Sequence, residues 1–367
     1  MPSKSLAKTS IKVFSFFSGV GFLDLGFEQA GFNIAFVNEF NSCFLNAYKY
    51  ARRNSKNVPQ YGYSTRSAAD FLDDRIWKQT FGKPHTNEMI GFIGGPPCPD
   101  FSVAGKNLGC EGENGSLTNV YTNLIIRRKP DFFVFENVKG LVQTKKHRLF
   151  FSKIKKRLYN AGYSLWESIE NALEYGVPQD RDRLILIGLR RATFGKRIQF
   201  DVNYPKKYNK GEIMKKDWPR KTPFVENQEI PMPNNIIEDL TVEYWFRHNR
   251  VEFHANGTDI FRVRNLNKYM IIEEGDITGK SFKRLHRWRY SPTAAYGNNE
   301  VHLHPYELRR LSVAEALAIQ SLPPEFVLPN KTSLSAKFKM VGNGVPFLLA
   351  KSIALHLSSF LIKKNGD

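Results

Sequence analysis

The sequence predicts an α/β protein in which a mostly parallel sheet is covered by helices on both faces. Short runs that are apolar throughout recur along the first half of the chain, stretches with helical spacing separate them, and small or polar residues follow them directly. Strands that are apolar on both faces are typical of buried parallel sheets. Ligands of such sheets bind beyond the carboxyl ends of the strands, so we expect the functional residues there.

The elements follow one another in a regular order. Strands are predicted at residues 11–17, 33–38, 89–94, 131–136 and 184–188. Between the first two strands, the spacing of Leu23, Phe27 and Ala30 predicts a helix over 22–30 that ends before Gly31. Further helices are predicted at 41–52, 311–322 and 346–363.

The middle of the chain, from about residue 192 to 299, loses this alternation. It is rich in Lys, Arg, Asn, Pro and aromatic residues, as in EYWFRHNRVEF and SFKRLHRWRYS. Basic residues interleaved with aromatic ones are typical of a module that reads DNA. A solvated insertion remains the alternative interpretation.

The charge of the chain is strongly basic. Its 367 residues include 54 Lys and Arg against 35 Asp and Glu, which gives a formal net charge of +19. Such a surface attracts polyanions, and nucleic acid is the commonest of them because phosphate contacts release condensed counterions. A generally basic proteome or a solubility effect is the alternative.

The cysteines do not form a structural framework. Cys43, Cys98 and Cys110 include no CxxC pair, and histidines do not cluster around them. We therefore expect no disulfide framework and no metal site. The amino terminus lacks the apolar segment of a signal peptide, and no run of about 18 apolar residues is seen. The expectation is a soluble, intracellular protein.

The first candidate site is a small-residue turn that follows the first strand. Phe17, Gly19 and Gly21 lie in FSGVG, between a strand and a helix, where glycine lets the backbone approach a ligand closely. Glu39 ends the second strand, the expected place for a carboxylate that binds ribose hydroxyls. Turns of this kind recur in many sheets, and Glu39 also fits a solvated loop acid.

The second candidate site follows the third and fourth strands. Cys98 lies in the proline-rich loop GGPPCPDFS, and prolines limit the freedom of the backbone and fix the position of a thiol. A thiolate there is a candidate nucleophile. Glu136 ends the apolar run DFFVFE, where partial desolvation would raise its pKa and suit it to donate a proton. A turn cap is the alternative role for Glu136.

A third pattern precedes the last predicted strand of the first half. Alternate residues of an extended segment point to one side, so Gln179, Arg181 and Arg183 are predicted to face the same ligand. Alternatively, the arginines form salt bridges at the start of the strand, because aspartates lie between them.

These stretches, taken together and in this order, resemble the DNA (cytosine-5)-methyltransferase family of bacterial restriction–modification type. The matching strings are FFSGVGF, VNEF, GGPPCPDFS, FENVKGL, YGVPQDRDR and VGNGVP. The resemblance implies a Rossmann-like methyltransferase domain, dependent on S-adenosylmethionine, with a smaller target-recognition domain inserted before the last motif. It divides the chain into a catalytic and cofactor-binding part at 1–190, the target-recognition domain at 191–300, and a catalytic part at 301–367 that returns to the cofactor pocket.

The resemblance also implies roles for single residues. Those implied to hold S-adenosylmethionine are Phe17, Gly19, Gly21, Glu39, Asp70, Pro96, Asn343 and Val345, although the match around Asp70 is poor. Cys98, Glu136, Arg181 and Arg183 would surround the target cytosine, with Gln179, Ser102 and Thr293 near the DNA. The chain departs from the family pattern at Ser15, Phe22, Pro99 and Gly344.

The implied reaction is methylation of carbon 5 of cytosine in a specific double-stranded DNA sequence. Cys98 would add to carbon 6 of a base flipped out of the helix, with Glu136 at ring nitrogen 3 and Arg183 at the 2-carbonyl. We expect a cytoplasmic, nucleoid-associated monomer that protects host DNA from a partner restriction endonuclease. The alternatives are an RNA cytosine methyltransferase, a silent DNA-binding protein on the same scaffold, and a nucleotide-binding metabolic enzyme.

Overall fold

The computed structural model describes residues 11–55, 57–82, 88–97, 113–262, 266–279, 281–294, 296 and 301–365, and for 113–116 and 364–365 it describes the backbone alone. The described strands are β1 Lys12–Phe16, β2 Asn33–Asn38, β3 Tyr63–Ser64, β4 Ile90–Gly94, β5 Phe132–Val138, β6 Tyr163–Asn171, β7 Gln179–Asp180, β8 Asp182–Arg190 and β9 Ser291–Pro292.

The described helices cover the sheet and build most of the carboxyl-terminal third. They are α1 Phe22–Gln29, α2 Ser42–Ala51, α3 Asp74–Phe81, α4 Glu113–Arg128, α5 Lys145–Asn160, α6 Arg191–Phe194, α7 Lys210–Met214, α8 Val242–His248, α9 Asn267–Met270, α10 Val313–Ile319, α11 Leu334–Asn343 and α12 Phe347–Asn365. Short 3-10 helices lie at Ala68–Leu72, Lys139–Val142, Ala172–Tyr175, Glu238–Leu240 and Val251–Phe253.

The main sheet has the spatial order β3-β2-β1-β4-β5-β8-β6. The first five strands of this order run parallel to one another, whereas β8 runs antiparallel to both β5 and β6. The predicted α/β class with a mostly parallel sheet is confirmed. The strand predicted at 184–188 is also present, but its antiparallel direction was not predicted, because an apolar run does not encode strand direction.

The two faces of the sheet bury different side chains. One face is largely aromatic and includes Phe14, Phe36 and Phe71. The other face is covered by α1 and α12. These helices approach closely because Gly26 of α1 faces α12, and a Cβ at Gly26 would lie 2.7 Å from the backbone nitrogen of Lys351. The carboxyl-terminal helix α12 therefore returns beside the first helix.

This return accounts for a long apolar helical stretch. Leu334–Lys363 contains a window of mean hydropathy 1.7 that would be long enough to cross a membrane by length and composition alone. The sequence reading had found no such run. In the folded chain 61% of that window is buried inside the protein, as expected for a core helix.

The middle region packs differently from the sheet. Its buried residues, such as Trp245 and Leu285, share one core with α10 and α11. Several of its basic residues are internal, and Arg284, which is fully buried, donates hydrogen bonds to the carbonyls of Tyr269, Ile272, His304 and Glu307. Some of the basic and aromatic residues that predict a DNA-reading module are therefore buried and stabilise the interior of this region.

Candidate active site

The predicted site residues that the structure describes collect at one edge of the sheet. This edge is formed by the carboxyl ends of the parallel strands and, because β8 is antiparallel, by the amino end of β8. Val138 at the end of β5 lies opposite Arg183, and Glu136 lies opposite Ile185. The reversed strand therefore brings Arg183 to the same edge as Glu136.

The turn after β1 has a backbone conformation that would let a ligand approach it closely. Phe17, Gly19 and Gly21 have φ values of 55°, 57° and 83°, all in the left-handed region. No atom lies within 4 Å of the place where a Cβ of Gly19 would stand, so the backbone there faces open space. The hydroxyl of Ser18 is buried without a hydrogen-bond partner. A turn with open space above it and an unused buried hydroxyl is suited to a ligand.

Glu39 is joined to this turn. One carboxylate oxygen, Oε2, accepts a hydrogen bond from the Gly19 amide at 2.9 Å, and Oε1 accepts one from the Asn41 amide at 2.8 Å. Burial raises the pKa of the Glu39 carboxyl, and these two amides oppose that rise. The neighbouring Phe40 leaves 73% of its surface exposed, and the sequence reading did not single it out. An aromatic residue directly after Glu39, the acid that follows β2, was the signal available for it.

A buried network supports the turn from behind. Arg52 donates hydrogen bonds to the carbonyls of Val20 and Gly21, pairs with Glu28 at 3.2 Å, and stacks on Tyr48 with its guanidinium carbon 4.1 Å from the ring centroid. A Cβ at Gly21 would lie 2.3 Å from the Tyr48 ring. The turn thus has little freedom to move toward the protein interior.

Three of the departures from the family pattern, Ser15, Phe22 and Gly344, have partners in the fold. Ser15 donates a hydrogen bond to Asp24 at 2.9 Å, and Tyr48 donates one to the other oxygen of Asp24 at 2.9 Å. Burial raises the pKa of Asp24 to about 6. Phe22 packs against Gly344, where a Cβ would lie 2.0 Å from the Phe22 ring. The bulky residue near the turn is therefore matched by a glycine in the carboxyl-terminal segment.

The remaining predicted cofactor residues lie around the same edge. Asp70 is half-buried on the 3-10 helix that follows β3. Pro96 is buried just after β4, and its carbonyl accepts a hydrogen bond from Asn137 at 3.3 Å. Asn343 ends α11 and is exposed, whereas Val345 is buried with 7% of its surface accessible.

Glu136 and Arg183 form a buried ion pair. The Arg183 Nε lies 2.9 Å from the Glu136 Oε1, and the two side chains each expose 10% of their surface. Burial raises the pKa of Glu136, whereas Arg183 and Arg181 oppose that rise. Gly95 packs against the acid, since a Cβ there would lie 2.6 Å from Glu136 Oε2. The chain that leads into the Cys98 loop thus passes directly over the acid.

Arg181 lies between β7 and β8 in the chain and contacts the carboxyl-terminal segment. It exposes 1% of its surface and donates hydrogen bonds to the carbonyls of Ala294, Gly342 and Gly344 at 2.9, 2.7 and 3.1 Å. Its Nε is buried and has no hydrogen-bond partner. Burial lowers the pKa of Arg181, and the nearby Arg183 lowers it further. Arg181 therefore connects three segments and still has one donor to offer.

Gln179 and Thr293 hold the same junction. The side-chain oxygen of Gln179, Oε1, accepts hydrogen bonds from Arg181 at 3.3 Å and from the Ala294 amide at 3.1 Å. Thr293 is exposed, and its hydroxyl donates to the carbonyl of Asp180 at 2.7 Å. Gln179, Arg181 and Arg183 are all buried, while the intervening aspartates are half-buried, so the predicted alternation is present.

Cys98 and Ser102 lie outside the described residues, as do Pro99 and Cys110. Among the described cysteines, Cys43 is free and exposed. The described residues contain no group of three or more His, Cys, Asp or Glu side chains placed to hold a metal ion.

Comparison with known proteins agrees with this geometry. The model of the C-5 cytosine-specific DNA methylase family matches residues 11–359. The Type II methyltransferase M.NmeDI of Neisseria meningitidis serogroup C is 53% identical over 359 residues, which cover 95% of this chain and 84% of the relative. The Type II methyltransferase M.MthTI of Methanothermobacter thermautotrophicus is 28% identical, over 94% of this chain and 96% of the relative.

A solved structure shares the fold across nearly the whole chain. It is a prophage-encoded E. coli protein assigned as a DNA modification methyltransferase, with a TM-score of 0.64 and 21% identity, covering 96% of this chain and 99% of that one. The chain thus belongs to the C-5 cytosine-specific DNA methylase family and is a DNA cytosine-5 methyltransferase of the bacterial restriction–modification type.

Proposed function

We propose that this enzyme methylates carbon 5 of a cytosine within one specific double-stranded DNA sequence, by covalent addition of Cys98 to a base flipped out of the helix. The observation that carries the proposal is the buried pair of Glu136 and Arg183, over which the chain enters the Cys98 loop. Cys98 follows Pro96 by two residues, and two extended residues span at most about 7 Å. Chain connectivity therefore supports a thiol within reach of the acid.

S-adenosylmethionine is the proposed cofactor, and it would supply an electrophilic methyl group on a sulfonium. The residues present fit such a ligand: the turn at Phe17, Gly19 and Gly21 faces open space, and the buried Ser18 hydroxyl lacks a partner. Glu39, already bonded to the turn, is proposed to accept the ribose hydroxyls. Other residues proposed to line the pocket are Asp70, Pro96, Asn343, Val345 and the exposed Phe40.

The proposed nucleophile makes carbon 5 of the cytosine reactive. Attack of the Cys98 thiolate on carbon 6 forms a carbon–sulfur bond and moves the ring electrons toward carbon 5, which is otherwise a weak nucleophile. Carbon 5 would then take the methyl group from the sulfonium of the bound cofactor, whose methyl–sulfur bond breaks so that it leaves as the neutral thioether. Loss of the carbon 5 proton and release of Cys98 restore the aromatic ring.

Glu136 and Arg183 are proposed to stabilise the charge that develops during this attack. A carboxyl whose pKa is raised by burial can share or donate a proton to ring nitrogen 3. Arg183, already paired with Glu136, is proposed to bind the 2-carbonyl oxygen. Both groups are held by the sheet before the base arrives, so little reorganisation is needed at the moment of reaction.

Besides contacting the cytosine, Arg181 is proposed to hold three parts of the site together. Its bonds to Ala294, Gly342 and Gly344 join the target side, the middle region and the carboxyl-terminal segment. Its unpartnered Nε remains available for a ligand. Gln179, Ser102 and Thr293 are proposed to contribute to the DNA side of the site.

Base flipping accounts for the basic charge and for the middle region. A stacked cytosine cannot be reached from both faces, and unstacking costs a few kcal/mol that protein contacts must offset. Residues 191–300 are proposed as the target-recognition domain. We further propose a cytoplasmic, nucleoid-associated monomer whose product protects host DNA from a partner endonuclease. Equal methylation of transfer RNA and duplex DNA would favour the RNA alternative.

Replacement of the nucleophile tests the proposal. Cys98→Ser should lower methyl transfer to DNA by at least about 1,000-fold while cofactor affinity stays largely intact, because a hydroxyl lacks the nucleophilicity of a thiolate. Incorporation of tritiated methyl groups measures the first effect and calorimetric titration the second. Cys43→Ser, at the exposed cysteine, is the matched control. Near-normal activity of Cys98→Ser would overturn the assignment.

A further inference from the structure

A second cleft, of about 440 Å³, lies in the middle region. It combines three cations, one carboxylate and two aromatic rings, which come from Lys216, Arg220, Arg289, Asp217, Trp218 and Tyr290. We call it the Arg289 cleft. Trp218 and Tyr290 form its aromatic wall, with ring centroids 5.2 Å apart and nearly perpendicular planes. None of these residues belongs to the stretches that resemble the family motifs.

Two chain connections place the Arg289 cleft beside the active site. Tyr290 directly precedes Ser291, which pairs with Gln179 in the small sheet of β7 and β9. Helix α7 provides the other connection: its first residue, Lys210, lies 3.5 Å from Asp182, and its last, Met214, accepts a hydrogen bond from the Tyr290 hydroxyl. Four residues of helix rise by about 6 Å. The cleft therefore adjoins the segment that carries Arg181 and Arg183.

Arg289 is held in the cleft with a donor unused. Its Nη1 donates to the carbonyl of Pro219 at 3.3 Å, and its guanidinium carbon lies 5.2 Å from the Tyr290 ring centroid. Its Nε is buried and has no hydrogen-bond partner. A guanidinium fixed in this way is suited to an acceptor that a ligand would bring.

Asp217 is held beside the arginines without pairing with them. Asn235 donates to Asp217 Oδ2 at 2.8 Å, and the same Asn235 accepts from Lys216 at 3.2 Å. Within the part of the chain that the structure describes, no ion pair joins Asp217 to Arg220 or Arg289. A site for phosphate alone gains nothing from this exposed carboxylate, which would repel the anion.

We propose that the Arg289 cleft reads one G·C base pair next to the methylated cytosine, an inference that rests on the proposed function. Guanine offers two acceptors in the major groove and arginine donates to both, whereas cytosine offers an amino donor that a carboxylate accepts. Arg289, with Arg220 as the second cation, takes the guanine edge, and Asp217 takes the cytosine amino group. The cleft is thereby a determinant of sequence specificity.

The test uses a pool of duplex DNA with randomised positions on both sides of cytosines. The pool is methylated by the full-length enzyme and read by bisulfite sequencing, for the wild type and for Arg289→Lys, Arg289→Ala and Asp217→Asn. Arg197→Ala is the control, at an exposed arginine in the segment before α7. A variant that folds poorly lowers methylation of all sequences together, so it does not imitate a change at one position.

The proposal expects Arg289→Ala to reduce discrimination at one G·C position by about 5- to 150-fold. Arg289→Lys should do nearly the same because lysine keeps the charge but lacks the planar fork, and Asp217→Asn should relax that same position. If all three variants kept the discrimination of the wild type at every position, whether or not total methylation fell, the proposal would be overturned and the proposed function would stand. Failure of the wild type to methylate any cytosine would instead overturn the proposed function itself.

Discussion

The proposed cofactor side and the proposed target side of the same sheet edge are built from different chemical groups. On the cofactor side, backbone groups dominate: the turn after β1 takes left-handed conformations, and its amide at Gly19 binds Glu39. On the target side, ionisable side chains dominate, and Glu136 and Arg183 are paired and almost fully buried. A binding pocket needs shape, whereas a reacting ring needs charge that is already in place.

This difference predicts two kinds of failure. Changes on the cofactor side should alter affinity for the cofactor, because they distort the backbone that shapes the pocket. Changes on the target side should alter the rate of the chemical step, because they remove groups that act in the transition state. The following substitutions test this division in order of decreasing effect.

The largest effect is expected at Glu136. Glu136→Gln keeps the size of the side chain but removes the ion pair and the exchangeable carboxyl proton, and we expect kcat to fall by about 100- to 1,000-fold with little change in cofactor KM. Burial raises the pKa of Glu136, so the protonated form is lost as pH rises through that raised pKa. A falling limb of kcat with rising pH should therefore be present in the wild type and absent in the variant.

Glu88→Gln is the control for this experiment. Glu88 pairs with Lys12 at the opposite edge of the same sheet, and its replacement should leave kcat unchanged. If Glu136→Gln changed KM for the cofactor and spared kcat, the division between the two sides would be wrong.

A smaller effect is expected at Gly21 on the cofactor side. A Cβ there would lie 2.3 Å from the Tyr48 ring at a φ of 83°, so Gly21→Ala must displace the turn. We expect the cofactor KM to rise by about tenfold, or 1.4 kcal/mol, with a smaller change in kcat. Steady-state kinetics at varied cofactor concentration measures both parameters.

Gly31→Ala is a closely matched control. Its φ is 90° and no atom lies within 4 Å of the added Cβ, so it carries the backbone strain without the collision. Gly31→Ala should lower the free energy of unfolding by on the order of 1 kcal/mol and leave the cofactor KM unchanged. An equal rise in KM for both variants would show that strain, and not the position of the turn, is responsible.

The smallest effect on catalysis is expected from Asp24, behind the proposed cofactor turn. Burial raises the pKa of Asp24 from 3.8 to about 6, so the folded protein holds this proton more tightly than the unfolded chain. Its contribution to stability is therefore present below pH 4 and is lost as pH rises toward 6, by up to about 1.4 kcal/mol per pH unit. Asp24→Asn should remove this slope.

Urea unfolding between pH 4 and 7 measures the difference between wild type and variant at each pH. Glu325→Gln, at an exposed carboxyl, serves as the control and should leave the slope unchanged. Parallel pH profiles for the wild type and Asp24→Asn would contradict the account of the buried network.

The sequence predicts the sheet better than the middle region. The strand predicted at 33–38 and the helix at 41–52 fall where β2 and α2 lie, with Asn41 capping the helix, because local periodicity and capping chemistry determine them. The direction of β8 was beyond such reasoning because it depends on pairing with β5 and β6, which are distant in sequence.

The site shows the same limit. The alternation of Gln179, Arg181 and Arg183 is a local pattern and was predictable, but the partners of Arg181 at Ala294, Gly342 and Gly344 lie more than a hundred residues away. Composition likewise does not distinguish an arginine that faces DNA from Arg284, which is buried and binds four carbonyls. Both distinctions depend on tertiary packing.

The most direct test of the central claim is a covalent trap. Duplex DNA that carries 5-fluorocytosine at the target position should form a complex with the wild-type enzyme and cofactor that survives denaturation, because fluorine cannot leave as the carbon 5 proton does. Mass spectrometry should map the attachment to Cys98, and Cys43→Ser should still form the complex while Cys98→Ser should not. An enzyme that methylates ordinary cytosine but yields no such adduct would contradict covalent catalysis by Cys98.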